Sequence, residues 1–235
     1  MNVAIVLSGG TGTRLGAHIP KQYIEVNNRP IISYSLETII GHRLIDHIII
    51  VAAEEWQDLI KKCVTNADKD ISFCQPGNSR QGSILNGLKK CEKLFNNDVD
   101  LVLIHDAARP LLSEELIERC LNISDEYDGA MPVLSVKDTT YQSIDGTHIT
   151  ALLDRNTLFA GQAPESFRFR KYLDIHNPLS SEEIDQIKGS SEIAHKFGLN
   201  IKLVKGDPLN FKITDNSDLN RFKTICNESY CTSRD

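Results

Sequence analysis

Five short β-branched runs punctuate the first part of the chain: Val3–Ser8 (VAIVLS), His47–Ala52, Ile71–Gln75, Leu101–His105 and Ala130–Ser135. Most are apolar at consecutive rather than alternate positions, which is the pattern of parallel strands covered on both faces. Between them, Ile31–Ile40, Glu54–Thr65, Arg80–Phe95 and Ser113–Glu126 carry apolar residues at helical spacing. In the last of these, Ser113 supplies a capping hydroxyl, and Glu114 and Glu115 put negative charge at the positive end of the helix dipole. Strands alternating with helices of this length predict βαβ units and hence an α/β fold with a mainly parallel, Rossmann-like sheet and helices on both faces. About seven strands are expected.

The rhythm breaks after Ser135. Lys137–Leu153 reads as an extended hairpin with Asp145-Gly146 as a tight turn. Such a β-arm is either a decorative excursion or a dimerisation element, and because a projecting hairpin is marginal unless something covers it, dimerisation is the expectation. Further on, Ser166–Ile175 and Ser181–Phe197 read as helices. Leu199–Val204 and Phe211–Thr214 read as returns to the sheet, and Ser217–Ile225 as a closing helix. No repeat, low-complexity tract or linker divides residues 1–235, which are read as one domain.

Charge restricts the partners. Lys and Arg number 26 against 32 Asp and Glu, a net of 26 − 32 = −6, which argues against general nucleic-acid binding. Any phosphate site must be a local basic cluster. The longest uninterrupted apolar stretch, Ile48–Ala53, is far short of the roughly 18 to 20 residues that cross a bilayer, and nothing reads as a secretory signal. No membrane partner and a cytoplasmic location are therefore expected. Cys63, Cys74, Cys91, Cys120, Cys226 and Cys231 are scattered without a C-x-x-C pair and read as free thiols.

That local cluster follows the first strand. Leu7 and Ser8 lead into Gly9-Gly10-Thr11-Gly12-Thr13-Arg14, a glycine-rich turn at the carboxyl end of a strand, where open α/β sheets bind ligands. Its glycines let backbone N–H groups approach anionic oxygens. The dinucleotide fingerprint G-x-G-x-x-G fails at Leu15, and no Gly-Lys-Ser/Thr of a Walker A loop is present. What remains is a loop with its own cation, Arg14, and a second, Lys21, in the Pro20-Lys21-Gln22 turn.

These features, with Gly77-Asn78-Ser79-Arg80-Gln81-Gly82-Ser83, His105-Asp106-Ala107-Ala108-Arg109-Pro110, Val136-Lys137-Asp138-Thr139, Asp154-Arg155-Asn156, Gly161-Gln162-Ala163-Pro164 and Asn210-Phe211-Lys212-Ile213-Thr214, form an ordered set. The set resembles the cytidylyltransferases typified by 2-C-methyl-D-erythritol 4-phosphate cytidylyltransferase and ribitol-5-phosphate cytidylyltransferase. The resemblance runs from Val3 through Leu219. It implies attack of an acceptor phosphate oxygen on the α-phosphorus of CTP, giving a CDP-polyol and pyrophosphate. The protein's work is then to align two anions and offset their charge.

The resemblance also implies roles. Arg14, Lys21 and Lys212 are the catalytic cations. Leu7, Ser8, Gly9, Gly10, Thr11, Gly12, Thr13, Arg80, Gly82, Ser83 and Asp106 hold the nucleotide. Asp106, at a strand end, is the ligand of a Mg²⁺ ion, since a hard cation takes carboxylate and phosphate oxygens. Arg109, Thr139, Arg155 and Ser190 hold the acceptor, with Thr139 and Arg155 reaching from a partner's arm in a homodimer.

Three positions depart from the family pattern. Gly82 stands where the methylerythritol-phosphate enzymes carry an Asp, Ala163 replaces a Thr, and Ser190-Ser191-Glu192-Ile193-Ala194 replaces a Thr-Asp-Glu-Ala-like run. Losing a hydroxyl and a carboxylate changes which acceptor hydroxyls can be bonded. The reading therefore favours an alditol phosphate, ribitol 5-phosphate or glycerol phosphate, for surface polysaccharide synthesis. Asp-Ala-Ala-Arg-Pro at 106–110 points instead to methylerythritol phosphate and isoprenoid synthesis. Two readings of other classes stay open: an NAD-dependent oxidoreductase with Glu54 or Glu55 on the ribose, and a non-catalytic nucleotide-binding module.

Overall fold

A computed structural model describes residues 1–10, 19–65 and 67–232, with side chains to residue 228. Its strands are β1 (Asn2–Leu7), β2 (Glu25–Val26), β3 (Arg29–Pro30), β4 (His47–Val51), β5 (Ile71–Cys74), β6 (Leu101–Asp106), β7 (Gly129–Ser135), β8 (Thr140–Gln142), β9 (Ala151–Leu153), β10 (Phe159–Gly161), β11 (Glu165–Arg168) and β12 (Ile201–Lys205). Its helices are α1 (Ile31–Gly41), α2 (Glu54–Cys63), α3 (Arg80–Phe95), α4 (Glu114–Leu121), α5 (Phe169–Asp174), α6 (Ser181–Gln186), α7 (Ser190–Lys196) and α8 (Asn216–Thr232).

Eight strands form the main sheet. β1 lies between β4 and β6, parallel to both, and β5 extends that side. On the other side β11 runs antiparallel to β6 and β7, β10 continues along the same edge of β7, and β12 joins β7 in parallel. The mainly parallel α/β sheet expected from the sequence is present, with one strand more than the number anticipated.

Successive residues of a strand face opposite sides, and here both sides are covered. Ala4, Val6, Ile48, Ile50, Leu101 and Leu103 pack with α1, α2 and α4, while Val3, Ile5, Ile49, Val51, Val102 and Ile104 pack with α3, α5 and α7. That is why the strands read as unbroken apolar runs. Each Val, Leu or Ile side chain so removed from water contributes about 1.5 to 3 kcal/mol. Helix α3 approaches closely at Gly87, where a Cβ would lie 2.7 Å from Ile5 Cγ2. Val26, Ile31, Ile213, Leu219 and Phe222 form a smaller third cluster under α8.

Several local expectations are corrected. Ser113–Glu126 is helical only to Leu121, where Asn122 leaves helical geometry (ψ 73°) ahead of the polar turn Ser124-Asp125-Glu126. Ser166–Ile175 opens as a strand: Ser166 and Phe167 are fully buried between β6 and β7, and the Ser166 hydroxyl is satisfied by Cys120 O and Ala130 N. Only from Phe169 is the segment helical. Ser181–Phe197 is two helices, because Ile187-Lys188-Gly189 is extended and Gly189 stands as the N-cap of α7. Phe211–Thr214 is not a strand, being held by Ile213 in the third cluster.

The arm is an antiparallel pair, Thr140 opposite Leu153 and Gln142 opposite Ala151. Its connection is the loop 143–150 rather than a two-residue turn. Asp145 Oδ1 accepts from the N–H groups of Thr147 (2.8 Å) and His148 (2.9 Å), and Gly146 takes a φ of +74° that favours glycine. Tyr141, Ile144, Ile149 and Leu152 are exposed on the arm. Among the described residues no helix is long and apolar enough to cross a membrane, and Cys63, Cys74, Cys91, Cys120 and Cys226 are free thiols.

Candidate active site

Strands β1 and β6 end side by side, with Leu7 opposite Asp106, and a cleft of about 380 Å³ opens above them. One wall is the turn after β1. The buried side chain of Gln22 donates through Nε2 to Ser8 O (2.7 Å) and Gly10 O (2.8 Å), and Tyr23 Oη donates to Ser8 O (3.0 Å). Two carbonyls of the loop are thereby turned inward. Gly9 is required here, since a Cβ would meet Pro76 Cβ at 2.3 Å. The loop's later residues, Thr11, Gly12, Thr13 and Arg14, lie outside the described residues. Lys21 lines the cleft and donates through Nζ to Ile213 O at 2.6 Å.

A second wall is the start of α3. Ser79 caps it by accepting from Gly82 N (3.0 Å), while Ser83 Oγ donates to Ser79 O (2.9 Å) and accepts from Gly77 N (3.0 Å). A Cβ on Gly77 would fall 2.5 Å from Gly82 C, so the loop lies directly on the helix's first turn. The helix's positive end thus faces the cleft, an arrangement that favours anions.

The floor is a charge cluster. Asp106 Oδ1 receives Arg80 Nε at 3.0 Å, and Oδ2 has Lys212 Nζ at 2.9 Å and Arg109 Nε at 3.8 Å. Burial alone would raise this carboxyl's pKa, but Arg80, Lys212 and Arg109 hold it well below the usual carboxylate range. Arg80 reaches further: Nη1 donates to Ser190 Oγ at 2.6 Å, and Nη2 lies 4.0 Å from Glu165 Oε1. Glu165 Oε2 accepts from Ser191 Oγ at 2.6 Å. Burial raises the Glu165 pKa against the pull of Ser191 and Arg80. Beneath, His105 is fully buried, its pKa lowered to about 4 by burial, with Nε2 3.1 Å from Arg109 O.

Of the residues singled out in the sequence, Leu7, Gly9, Gly10, Lys21, Arg80, Ser83, Asp106 and Lys212 line this one cleft. Ser8 and Gly82 stand just behind it, one in the loop brace and one under the Ser79 cap. Arg109 and Ser190 belong to the layer beneath, Arg109 Nη1 donating to Asn210 O (2.7 Å) and Ser190 meeting Arg80. Thr139 and Arg155 are exposed at the base of the arm, where Arg155 Nη1 donates to Lys137 O (2.7 Å), and neither lines the cleft of its own chain. Glu54 and Glu55 are exposed at the start of α2 and do not line it either.

Sequence reasoning missed Gln22, Ser79 and Thr214 as site residues, and Glu165 behind them. Ser79 carried a signal, a hydroxyl one position before a helix. Gln22 and Glu165 carried none, since only tertiary placement buries them.

Residues 2–228 match the family described as "IspD: 2-C-methyl-D-erythritol 4-phosphate cytidylyltransferase". A ribitol-5-phosphate cytidylyltransferase of Vibrio parahaemolyticus is 33% identical over 228 residues, covering 96% of this chain and 95% of that protein. A 2-C-methyl-D-erythritol 4-phosphate cytidylyltransferase of Thermotoga neapolitana is 34% identical over 228 residues, with 97% and 98% covered. Among solved structures, 4-diphosphocytidyl-2C-methyl-D-erythritol synthase from Anaerococcus prevotii superposes with a TM-score of 0.82 at 25% identity, 96% of each chain being covered.

Proposed function

Because this chain belongs to the 2-C-methyl-D-erythritol 4-phosphate cytidylyltransferase family and is therefore a cytidylyltransferase, we propose that its cleft holds CTP and passes the cytidylyl group to a small alditol phosphate. Ribitol 5-phosphate and glycerol phosphate are the acceptors this reading names. In the reaction an acceptor phosphate oxygen bonds to the α-phosphorus, the bond from that phosphorus to the bridging oxygen breaks, and pyrophosphate leaves. The observation that carries the reading is the cleft at the open end of β1 and β6, which Lys21 lines together with Asp106 and two of the cations paired with it, Arg80 and Lys212.

Each wall has a task. The turn at Gly9 and Gly10, braced by Gln22, offers backbone N–H groups to the triphosphate, and the start of α3 offers a positive dipole end. Lys21 and Lys212 supply positive charge to offset the negative charge on the oxygens of the reacting phosphoryl group and of the departing pyrophosphate. Among the described residues Asp106 is the one carboxylate lining the cleft, and no group of three or more His, Cys, Asp or Glu side chains is placed to hold a metal. That donor set fits Mg²⁺, which is held by one or two carboxylates together with substrate phosphates and water. The ion would supply Lewis-acid neutralisation of the phosphates; Asp106 and the triphosphate would hold it.

Two side chains named for the acceptor, Thr139 and Arg155, stand away from their own cleft, and the arm that carries them exposes Tyr141, Ile144, Ile149 and Leu152. Both observations support a homodimer in which each arm reaches a partner's site. The alditol reading rests on Ala163 and on Ser190 to Ala194, and a relative named ribitol-5-phosphate cytidylyltransferase agrees with it. Methylerythritol phosphate is the second reading, favoured by Asp106 to Pro110 and by the relative from Thermotoga neapolitana.

Pyrophosphate release from CTP and Mg²⁺ with ribitol 5-phosphate, glycerol 3-phosphate and 2-C-methyl-D-erythritol 4-phosphate tests this. The expected best acceptor is one of the two alditol phosphates. A clear preference for methylerythritol phosphate overturns the acceptor, and no release with any of the three overturns the assignment of the cleft.

A further inference from the structure

Arg80 occupies an unfavourable place. It is the first residue of α3, a helix of 16 residues, where the dipole's positive end repels a cation, and its side chain is only 27% exposed. A guanidinium there needs anionic neighbours, and it has two. Asp106 meets Nε at 3.0 Å, and Glu165 lies on the other side, 4.0 Å from Nη2. The third nitrogen, Nη1, is fixed by Ser190 Oγ. Three elements thus define one side chain: the end of β6, the start of β11 and the start of α7.

The two carboxylates differ in what else claims them. Asp106 lines the cleft and is shared with Lys212 and Arg109. Glu165 does not line it; it is buried at the start of β11, with Ser191 on its other oxygen, and Arg80 is the one cation paired with it among the described residues. Under the function proposed above, the metal ion that accompanies the triphosphate would compete with Arg80 for Asp106, and Arg80 would then share its nearer counter-ion.

We propose that Glu165 is a positioning residue of the nucleotide site, the reserve counter-ion that keeps the Arg80 guanidinium in place when the metal ion accompanying the nucleotide engages Asp106. This rests on the CTP reading of the cleft. Ser191 serves Glu165 in turn, holding its carboxylate toward Arg80.

The test is a cycle of Glu165→Gln, Arg80→Gln and the double variant, with Ser191→Ala as a milder probe that leaves the carboxylate in place. Dissociation constants for CTP are measured by calorimetry with EDTA and with Mg²⁺, alongside KM for the acceptor and the melting temperature. Glu165→Gln is expected to weaken CTP about tenfold with Mg²⁺ present and less with EDTA, leaving the acceptor KM unchanged. Ser191→Ala should weaken CTP about threefold in the same direction. In the Arg80→Gln background, Glu165→Gln should cost nothing further.

Additive losses in the cycle would overturn the proposal, as would a rise in acceptor KM with CTP affinity unchanged, or a lowered melting temperature with both unchanged. Failure of the wild-type protein to bind CTP would instead overturn the parent reading, and this inference with it.

Discussion

Replacing Asp106 by Asn keeps the shape of the cluster and removes the one negative charge that three cations share. At about 3 Å and an effective dielectric near 20, each close pair has a gross attraction of about 5 kcal/mol, most of it offset by desolvation. Lys212 is 35% exposed, so its share is screened, whereas the Arg80 and Arg109 side chains are 27% and 12% exposed. Removing one member of a buried pair costs about 3 to 5 kcal/mol, and the open side of the cleft argues for the lower figure. For a chain of this size each kcal/mol is about 2 to 4 °C, so Asp106→Asn should melt about 6 to 12 °C below the wild type. The expected sign of the ligand effect is the sharper check. In EDTA, CTP should raise the melting temperature of the variant more than that of the wild type, because a triphosphate replaces the missing charge. With Mg²⁺ and an acceptor, turnover should fall at least about a hundredfold. A variant that melts within a degree of the wild type, or that CTP stabilises less, refutes the placement of Asp106 as the charge that holds the cleft together.

Gly77→Ala places a methyl 2.5 Å from Gly82 C and 2.8 Å from Ser83 N; pushing the loop off α3 should cost about 1 to 3 kcal/mol and raise the KM for CTP, read by urea unfolding and by kinetics. His105 titrates near 4 in the folded protein against about 6.5 when unfolded, so its stabilising contribution is complete above pH 6.5 and is lost as pH falls toward 4. That loss is on the order of 3 kcal/mol. Urea midpoints should fall across this window, and His105→Gln should flatten the profile. Leu152→Asp, on the arm's exposed face, should convert the proposed dimer to a monomer by sedimentation and raise the acceptor KM, with CTP affinity unchanged; a monomeric wild type would remove the arm from the site.

The half of the fold built from β1, β4, β5 and β6 was legible because each strand is apolar on both faces and each helix carries its own periodicity. The region after Ser135 was less so. β10 and β11 are short, and their partners are β6 and β7, distant in the chain, so nothing local marks Phe159 or Ser166 as strand. A serine in a buried strand looks polar until Cys120 O and Ala130 N are seen beside it. The cleft's cations were readable from the glycine turn and the motif around Lys212. Their shared carboxylate was also visible, as an Asp at the end of an apolar strand. What could not be read was the layer behind, Gln22, Glu165 and Ser191, whose roles come from contacts spanning many residues.

One thread ties the two ends of this order together. Ile213 N donates to Ala108 O, Lys21 Nζ to Ile213 O, and Lys212 Nζ to Asp106 Oδ2. During synthesis the glycine turn and the strand bearing Asp106 emerge well before residues 210–214 do. A nascent chain therefore presents the glycine turn and Asp106 before the cleft has its Lys212 wall, and the charge cluster closes only once residues 210–214 have joined it.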